Sequence, residues 1–420
     1  MSSDVLVKVD RLAQSGEGVV KLGATAFGLA DTLPGELVRV RREGASLQLL
    51  GVESPSAERV ASGCGAFPRC GGCTWQHLSV AGQREARLDT LRRALPAALR
   101  GLSIGYTALA SRDAWRARAR LGWQVVKGQA ELGFRARGAR ELVALSACPV
   151  LVPGLNDALP RLRAALGAVS RQGEVSLGLG AEGRAVVSIH PVGAPLATGF
   201  AVPEALVAGG FAGAALWVPG ASVPATAGDP RPCNEGFDGA PLWLAVDGFG
   251  QAHQALNRQL VEAVLRGAEA EGRVVFELHA GAGNFTVALA AAARKMTAVE
   301  TDEGSVSCLR ANLALRGFGG RVAVRQQSAE AAAEAGLRGD VVVLDPPRTG
   351  AREVCEALAK NPVRRVVYVS CDPPTLGRDL GLLLGAYEVA SIEGFEMFPQ
   401  TPHLESVVTL VARRGRGGRG

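Results

Sequence analysis

Chemistry in this chain begins with a thiol and a carboxylate. Cys371 lies in Tyr368-Val369-Ser370-Cys371-Asp372-Pro373-Pro374, directly after the strand-like stretch Arg365-Val366-Val367-Tyr368-Val369. A thiol there projects from the carboxyl edge of a sheet, placed to act as a nucleophile. Glu405 follows in Phe398-Pro399-Gln400-Thr401-Pro402-His403-Leu404-Glu405-Ser406, a turn-rich segment before another strand, and offers a base. Upstream, Glu277-Leu278-His279-Ala280-Gly281-Ala282-Gly283-Asn284-Phe285 reads as a strand, a turn and the start of a helix. Gly281 and Gly283 let the backbone approach a nucleotide-like ligand. Thr286 stands where a dinucleotide fingerprint needs glycine or alanine, which removes much of the case for a pyrophosphate. Glu300 ends the next strand, where an acid can accept from both ribose hydroxyls. Asp345-Pro346-Pro347-Arg348 forms a second turn at a strand end.

A separate constellation is made of cysteines. Cys64, Cys70 and Cys73 follow a Cys-x5-Cys-x2-Cys pattern in a Gly/Pro-rich loop, and Cys148 in Ala147-Cys148-Pro149 supplies a fourth thiol. Four thiolates hold either a tetrahedral zinc or a [4Fe-4S] cluster, and spacing alone leaves both open.

These groups need a scaffold of more than one core. The chain has 420 residues, 47% hydrophobic and 20% charged, which is ordinary globular composition for two or three domains. Residues 240–412 alternate apolar strands with helical stretches, the rhythm of an α/β doubly wound sheet. Two closing strands, Tyr387 to Glu393 and Ser406 to Val411, lack an intervening helix and are expected to be antiparallel. Residues 55–239 read as an α+β middle domain with a helix over Gly82–Leu95, stopped by Pro96. Trp115-Arg116-Ala117-Arg118-Ala119-Arg120 puts three arginines on one side of a strand, a candidate phosphate track. Residues 1–54 carry short alternating strands between Gly and Pro turns, which suits a five-stranded barrel. Residues 413–420 form an Arg/Gly tail expected to stay mobile.

The balance of 46 Lys+Arg against 40 Asp+Glu, net +6, fits an RNA partner. No basic n-region with an apolar core opens the chain, and no apolar run reaches the roughly 18 residues of a membrane span. A soluble, cytoplasmic protein without a membrane partner is expected. Eight cysteines in such a chain are read as ligands, nucleophiles or buried small side chains rather than disulfides.

Together the Cys371 motif, the Glu405 segment, the Gly281/Gly283 turn and Asp345-Pro-Pro resemble the RNA uracil-5-methyltransferase family, which uses S-adenosylmethionine (SAM). The resemblance implies that Cys371 adds to C6 of uracil and that Glu405 removes the C5 proton. It puts Gln251, His279, Asn284, Glu300 and Asp345 around SAM, with Gly281 and Gly283 in the cofactor turn. It decides the cysteine pattern in favour of a [4Fe-4S] cluster, and makes the front barrel similar to a TRAM domain, an RNA-binding barrel of the oligonucleotide-binding type. Phe249-Gly250-Gln251-Ala252-His253 carries His253 where the family has Asn, and a surface position is expected for that histidine. His279 replaces an aromatic and Ala280 a cysteine. Cluster-bearing members imply ribosomal RNA of the large subunit as substrate, with a transfer RNA T-loop uridine as the runner-up, and a monomeric enzyme. Two further readings are an amino-methyltransferase, suggested by Asp-Pro-Pro but lacking the aromatic that Arg348 replaces, and a non-catalytic iron-sulfur RNA-binding protein.

Overall fold

Five strands at the front of the chain bury alternate residues, because a pleat sends successive side chains to opposite faces. In the computed structural model, which describes residues 4–413, these are β1 (Val5–Leu12), β2 (Gly18–Leu22), β3 (Thr25–Leu29), β4 (Leu37–Glu43) and β5 (Ser46–Ser54). The expected Arg/Gly tail lies outside the described residues from 414 onward. The strands form an antiparallel sheet in the order β3-β2-β1-β4-β5, with register shifts in β1 and in the β4/β5 pair. Such bulges bend strands, and β3 comes back alongside β5, so the sheet curls around Val7, Val9, Val20, Leu29, Val38 and Val40.

The chain continues through α1 (Val80–Ala94) and β6 (Gly105–Thr107). Ser79 caps α1 by accepting from Gly82 N at 3.0 Å, and Pro96 follows its end. Leu91 and Leu95 pack against Leu376 and Leu380 of the C-terminal region. Gly377 permits that approach: a Cβ there would meet the Ala94 carbonyl at 2.0 Å.

The middle sheet contains β7 (Arg118–Val126), β8 (Gln129–Arg135), β9 (Leu142–Ala144), β10 (Gln172–Leu179), β11 (Ala185–Pro191), β12 (Gly213–Leu216) and β13 (Ala225–Gly228). Its order is β13-β12-β11-β10-β7-β8-β9, antiparallel except for β11 beside β12. Helices α2 (Pro153–Leu166) and α3 (Val202–Ala208) bury Leu155, Leu159, Leu162 and Leu206 in the same core as Trp123, Val175 and Ile189. A ribbon of β14 (Cys233–Glu235) and β15 (Pro241–Trp243) leads onward.

The last sheet is the α/β one. Its order is β18-β17-β16-β19-β20-β22-β21-β6, from β16 (Val274–Leu278), β17 (Lys295–Glu300), β18 (Val322–Gln326), β19 (Val341–Leu344), β20 (Arg365–Ser370), β21 (Tyr387–Phe395) and β22 (Glu405–Ala412). The first five are parallel, and β22 runs antiparallel to β20 and β21. One face packs on α4 (Gln254–Ala268), α5 (Thr286–Ala292) and α6 (Glu303–Leu315). The other packs on α1, α7 (Ala329–Glu334), α8 (Arg352–Lys360) and α9 (Pro373–Leu383). Covering both faces explains the continuous Val/Leu runs of β19 and β20. Among the described residues no helix is long and apolar enough to cross a membrane.

Candidate active site

Every candidate except Gln251 and the four expected cluster cysteines sits at the carboxyl edge of the parallel strands or in the turns just beyond it. β16 ends at Leu278, and the chain reverses through His279, Gly281 and Gly283, all with positive φ. At Gly283 a Cβ would meet Leu309 at 2.7 Å, so glycine is required there by packing as well as by backbone. Glu300 holds the turn shut: one carboxylate oxygen accepts from Gly281 N at 2.8 Å, the other from Thr301 N and Asp302 N at 2.7 and 2.9 Å. Asn284 exchanges two side-chain hydrogen bonds with Asn257 of α4 at 2.8 and 2.9 Å. The Gln251 side-chain oxygen and His279 Nε2 are buried without a protein partner. Unpaired buried polar atoms are costly and mark places where a ligand can complete the bonding.

Cys371 and Glu405 meet across the end of the sheet. Ser370 pairs with Ser406 in the antiparallel β20/β22 ladder, so the adjoining residues Cys371 and Glu405 face each other. Glu405 is 3% exposed, the first residue of β22. Burial pushes its carboxyl well above the usual range, with the Asp345 charge adding to this and Arg348 opposing. Burial also pushes the Cys371 thiol up to about 11, with Glu405 adding and the Arg348 guanidinium opposing. Asp345, directly after β19, is pushed up by burial of its carboxyl. Thiol, two carboxyls and one guanidinium therefore form one electrostatic group. The segment leading to Glu405 is strapped down: Arg87 donates to the Thr401 carbonyl at 2.6 and 3.0 Å and to Glu396 at 2.7 Å, and Gln83 bonds both ways with Gln400.

The four expected cluster residues come together elsewhere. Cys64, Cys70, Cys73 and Cys148 line a small cavity of about 20 Å3 shared with Arg116 and Phe134. All four are free thiols. Among the described residues no three His, Cys, Asp or Glu side chains stand close enough to hold a single metal ion. Four thiols lining one space are a donor set that either a zinc ion or an iron-sulfur core accepts.

Against known families, the profile described as "tRNA (Uracil-5-)-methyltransferase" matches residues 244–413. The chain is 34% identical to the 23S rRNA (uracil(1939)-C(5))-methyltransferase RlmD of Halomonas elongata, over 97% of this chain and 90% of that one. It is 33% identical to the protein of the same name from Vibrio cholerae, over 97% and 96%. The chain belongs to the RNA uracil-5-methyltransferase family. Among solved structures, the tRNA (uracil-54, C5)-methyltransferase of Pyrococcus abyssi in complex with S-adenosyl-L-homocysteine superposes with a TM-score of 0.75. It shares 22% identity and covers 97% of this chain and 100% of its own, which shows the same fold.

Several contacts at the family's motifs escape sequence reasoning. His253 is not a surface residue: it is 3% exposed, its Nδ1 accepts from Leu256 N to cap α4, and its ring stacks on Trp115 at 5.5 Å. Glu277 is a buried acid within β16, readable only once both sheet faces are known to be covered. Phe249 stands 72% exposed on a loop pinned from behind. Asp247 there accepts from Ser188 and Trp217 at 2.7 and 3.0 Å, and Arg118 donates to the Gly248 carbonyl at 2.7 Å. Burial would raise the Asp247 carboxyl, but hydrogen bonds from His190 and Ser188 outweigh it and hold it low. Of the three arginines of the expected phosphate track, Arg116 faces the cysteine cavity and Arg118 holds the Phe249 loop, whereas Arg120 is exposed and lies 3.6 Å from Glu174.

Proposed function

We propose that this protein transfers a methyl group from SAM to C5 of a uridine in 23S ribosomal RNA, forming 5-methyluridine through a covalent Cys371 adduct at C6. The observation that carries the reading is Cys371 facing Glu405 across the β20/β22 end beside Asp345. The near full-length relatives, named for 23S rRNA, favour ribosomal over transfer RNA.

The residues at the edge suit SAM. Glu300 and Asp345 present acids there, the Gly281/Gly283 turn leaves room for backbone contact, and Gln251, outside that edge, offers an unsatisfied acceptor. When bound, SAM supplies an electrophilic methyl and a positive charge that favours ionised acids around it. Uracil C5 is a poor nucleophile until C6 is attacked. Cys371 must first release its proton to solvent water, and the Arg348 guanidinium favours the thiolate that remains. Its Sγ then bonds C6, and the charge that develops at C5 takes the methyl. Glu405 accepts the C5 proton, the Sγ–C6 bond breaks and the thiolate returns. A carboxylate pushed above its usual range is a stronger base for that step. Asp345 holds the pyrimidine edge, and the target base leaves its stack to reach the site.

In this reading the curled N-terminal sheet is a TRAM-type RNA-binding module, and Cys64, Cys70, Cys73 and Cys148 hold a [4Fe-4S] cluster that fixes the RNA-facing loops. The enzyme acts as a cytoplasmic monomer. RNA carrying 5-fluorouridine at the target tests the reading: the wild type forms a denaturation-resistant adduct, and Cys371→Ala abolishes both adduct and methyl transfer. Full activity in Cys371→Ala overturns the mechanism. A deletion strain whose 23S rRNA keeps all its 5-methyluridine overturns the substrate.

A further inference from the structure

Arg116 is a cation in the wrong place for an RNA contact. Its guanidinium lines the cysteine cavity, lies 5.3 Å from the Phe134 ring centroid, and donates through Nε to the Arg118 carbonyl at 3.0 Å. Among the described residues no carboxylate pairs with it, and the charges that act on it are the thiols Cys73, Cys148 and Cys70. Neighbouring arginines differ. Arg137 reaches the Cys73 carbonyl but pairs with Asp31 at 2.7 Å, and Arg69 pairs with Glu141 at 2.7 Å.

The side chain is also fixed by its backbone. Arg116 N donates to Val150 O at 2.7 Å and Val152 N to Arg116 O at 3.1 Å, so it is laced to the segment that follows Cys148. Ala117 N donates to Ala252 O at 2.8 Å, beside Gln251. A half-buried guanidinium without an anion carries an uncompensated desolvation cost. Four neutral thiols do not offset that cost. Four thiolates around an iron-sulfur core do, because together they outweigh the core's charge and leave an anion.

We propose that Arg116 is the half-buried counter-charge of the iron-sulfur cluster and raises its reduction potential. The inference rests on the cluster reading above. A fixed positive charge stabilises the reduced cluster, the more anionic state, over the oxidised one, and net charge around a cluster is one of the determinants of its potential. The same charge favours retention of the four thiolates as ligands.

The test uses full-length protein purified anaerobically, with iron and sulfide analysis, a reductive titration followed by electron paramagnetic resonance, and iron release to a chelator. Arg116→Met, which keeps bulk and removes charge, is expected to shift the midpoint potential to more negative values and to shorten the half-life of iron release several-fold. Arg116→Lys, which keeps the charge, is expected to stay near wild type in both. A Met variant that fails to hold iron while the Lys variant does so supports the same role. Unchanged potential and release in Arg116→Met overturn it. Loss of the cluster from both variants also overturns it, since packing against Phe134 then explains the residue. Wild-type protein holding zinc and no iron overturns the cluster reading first, and this inference with it.

Discussion

Glu277→Gln tests how the cofactor edge is built. The carboxyl lies within β16 with 2% of the residue exposed and Oε2 unpaired. Burial, opposed by the Thr286 hydroxyl and reinforced by the Asp345 and Glu300 charges, pushes it from 4.5 up to about 8. A carboxyl raised on folding binds its proton more tightly in the folded state. Its contribution to stability is therefore complete below about 4.5 and is lost as pH rises through about 8. At about 1.4 kcal/mol per pH unit, the loss has a ceiling of about 5 kcal/mol, and relaxation brings the expected value to roughly 2–5 kcal/mol. Gln carries no such pH term but introduces an amide lacking partners, at about 1–3 kcal/mol. Thermal unfolding of SAM-free protein between pH 5 and 9 should give crossing curves. The variant melts below wild type at pH 5 and above it at pH 9, with a relative change of roughly 5–15 °C. Parallel curves for the two proteins refute the reasoning, because a carboxyl already ionised in the fold has no stability to lose in this window.

Glu405→Gln should retain attack by Cys371 and methyl transfer but stall before release. A methylated, denaturation-resistant RNA–protein species then accumulates on gels, whereas normal turnover removes Glu405 from the role. Glu396→Ala leaves Arg87 and Arg112 buried without their shared carboxylate and should cost about 3–5 kcal/mol of stability. A change under about 1 kcal/mol in denaturant melts shows that the strap before Glu405 is held by other contacts. Anaerobically purified protein should be brown with broad visible absorbance, lost in Cys70→Ser; stoichiometric zinc and no iron in the wild type contradicts the cluster.

The architecture was largely legible because both its sheet types leave periodic traces. Alternation marked the front strands, and the apolar runs Val341–Leu344 and Val366–Val369 announced a sheet covered on both faces. Two closing strands without a helix between them did prove antiparallel to their neighbours at β22. Elements with weak patterns escaped. β18 is an edge strand with only Val322 fully buried, and α7 is an alanine-rich turn and a half without an apolar stripe. The reach of α1 and β6 onto the C-terminal sheet was also hidden, since nothing local to Leu91, Leu95 or Tyr106 specifies a partner so distant in sequence.

Site residues divide along the same line. Gly281, Gly283 and Cys371 are legible because a turn or a strand end dictates their position locally. The environment of a charge is not local. Alternation correctly placed Arg116, Arg118 and Arg120 on the side of the strand away from buried Ala117 and Ala119. It could not say that Arg116 meets a cysteine cavity and Arg118 a loop carbonyl, while Arg120 stays exposed beside Glu174. His253 shows the same failure in reverse. An isolated polar residue reads as exposed until Trp115 is brought across it from another domain. Arg116 and His253 both lie at the seam where Arg116 and Ala117 tie the Cys148 loop to Ala252, so the seam joins the cysteine cavity to the segment carrying Gln251. A continuous hydrogen-bonded path between those two places means that disorder in the cysteine loop need not stop at the middle domain. It can reach the cofactor edge through backbone alone.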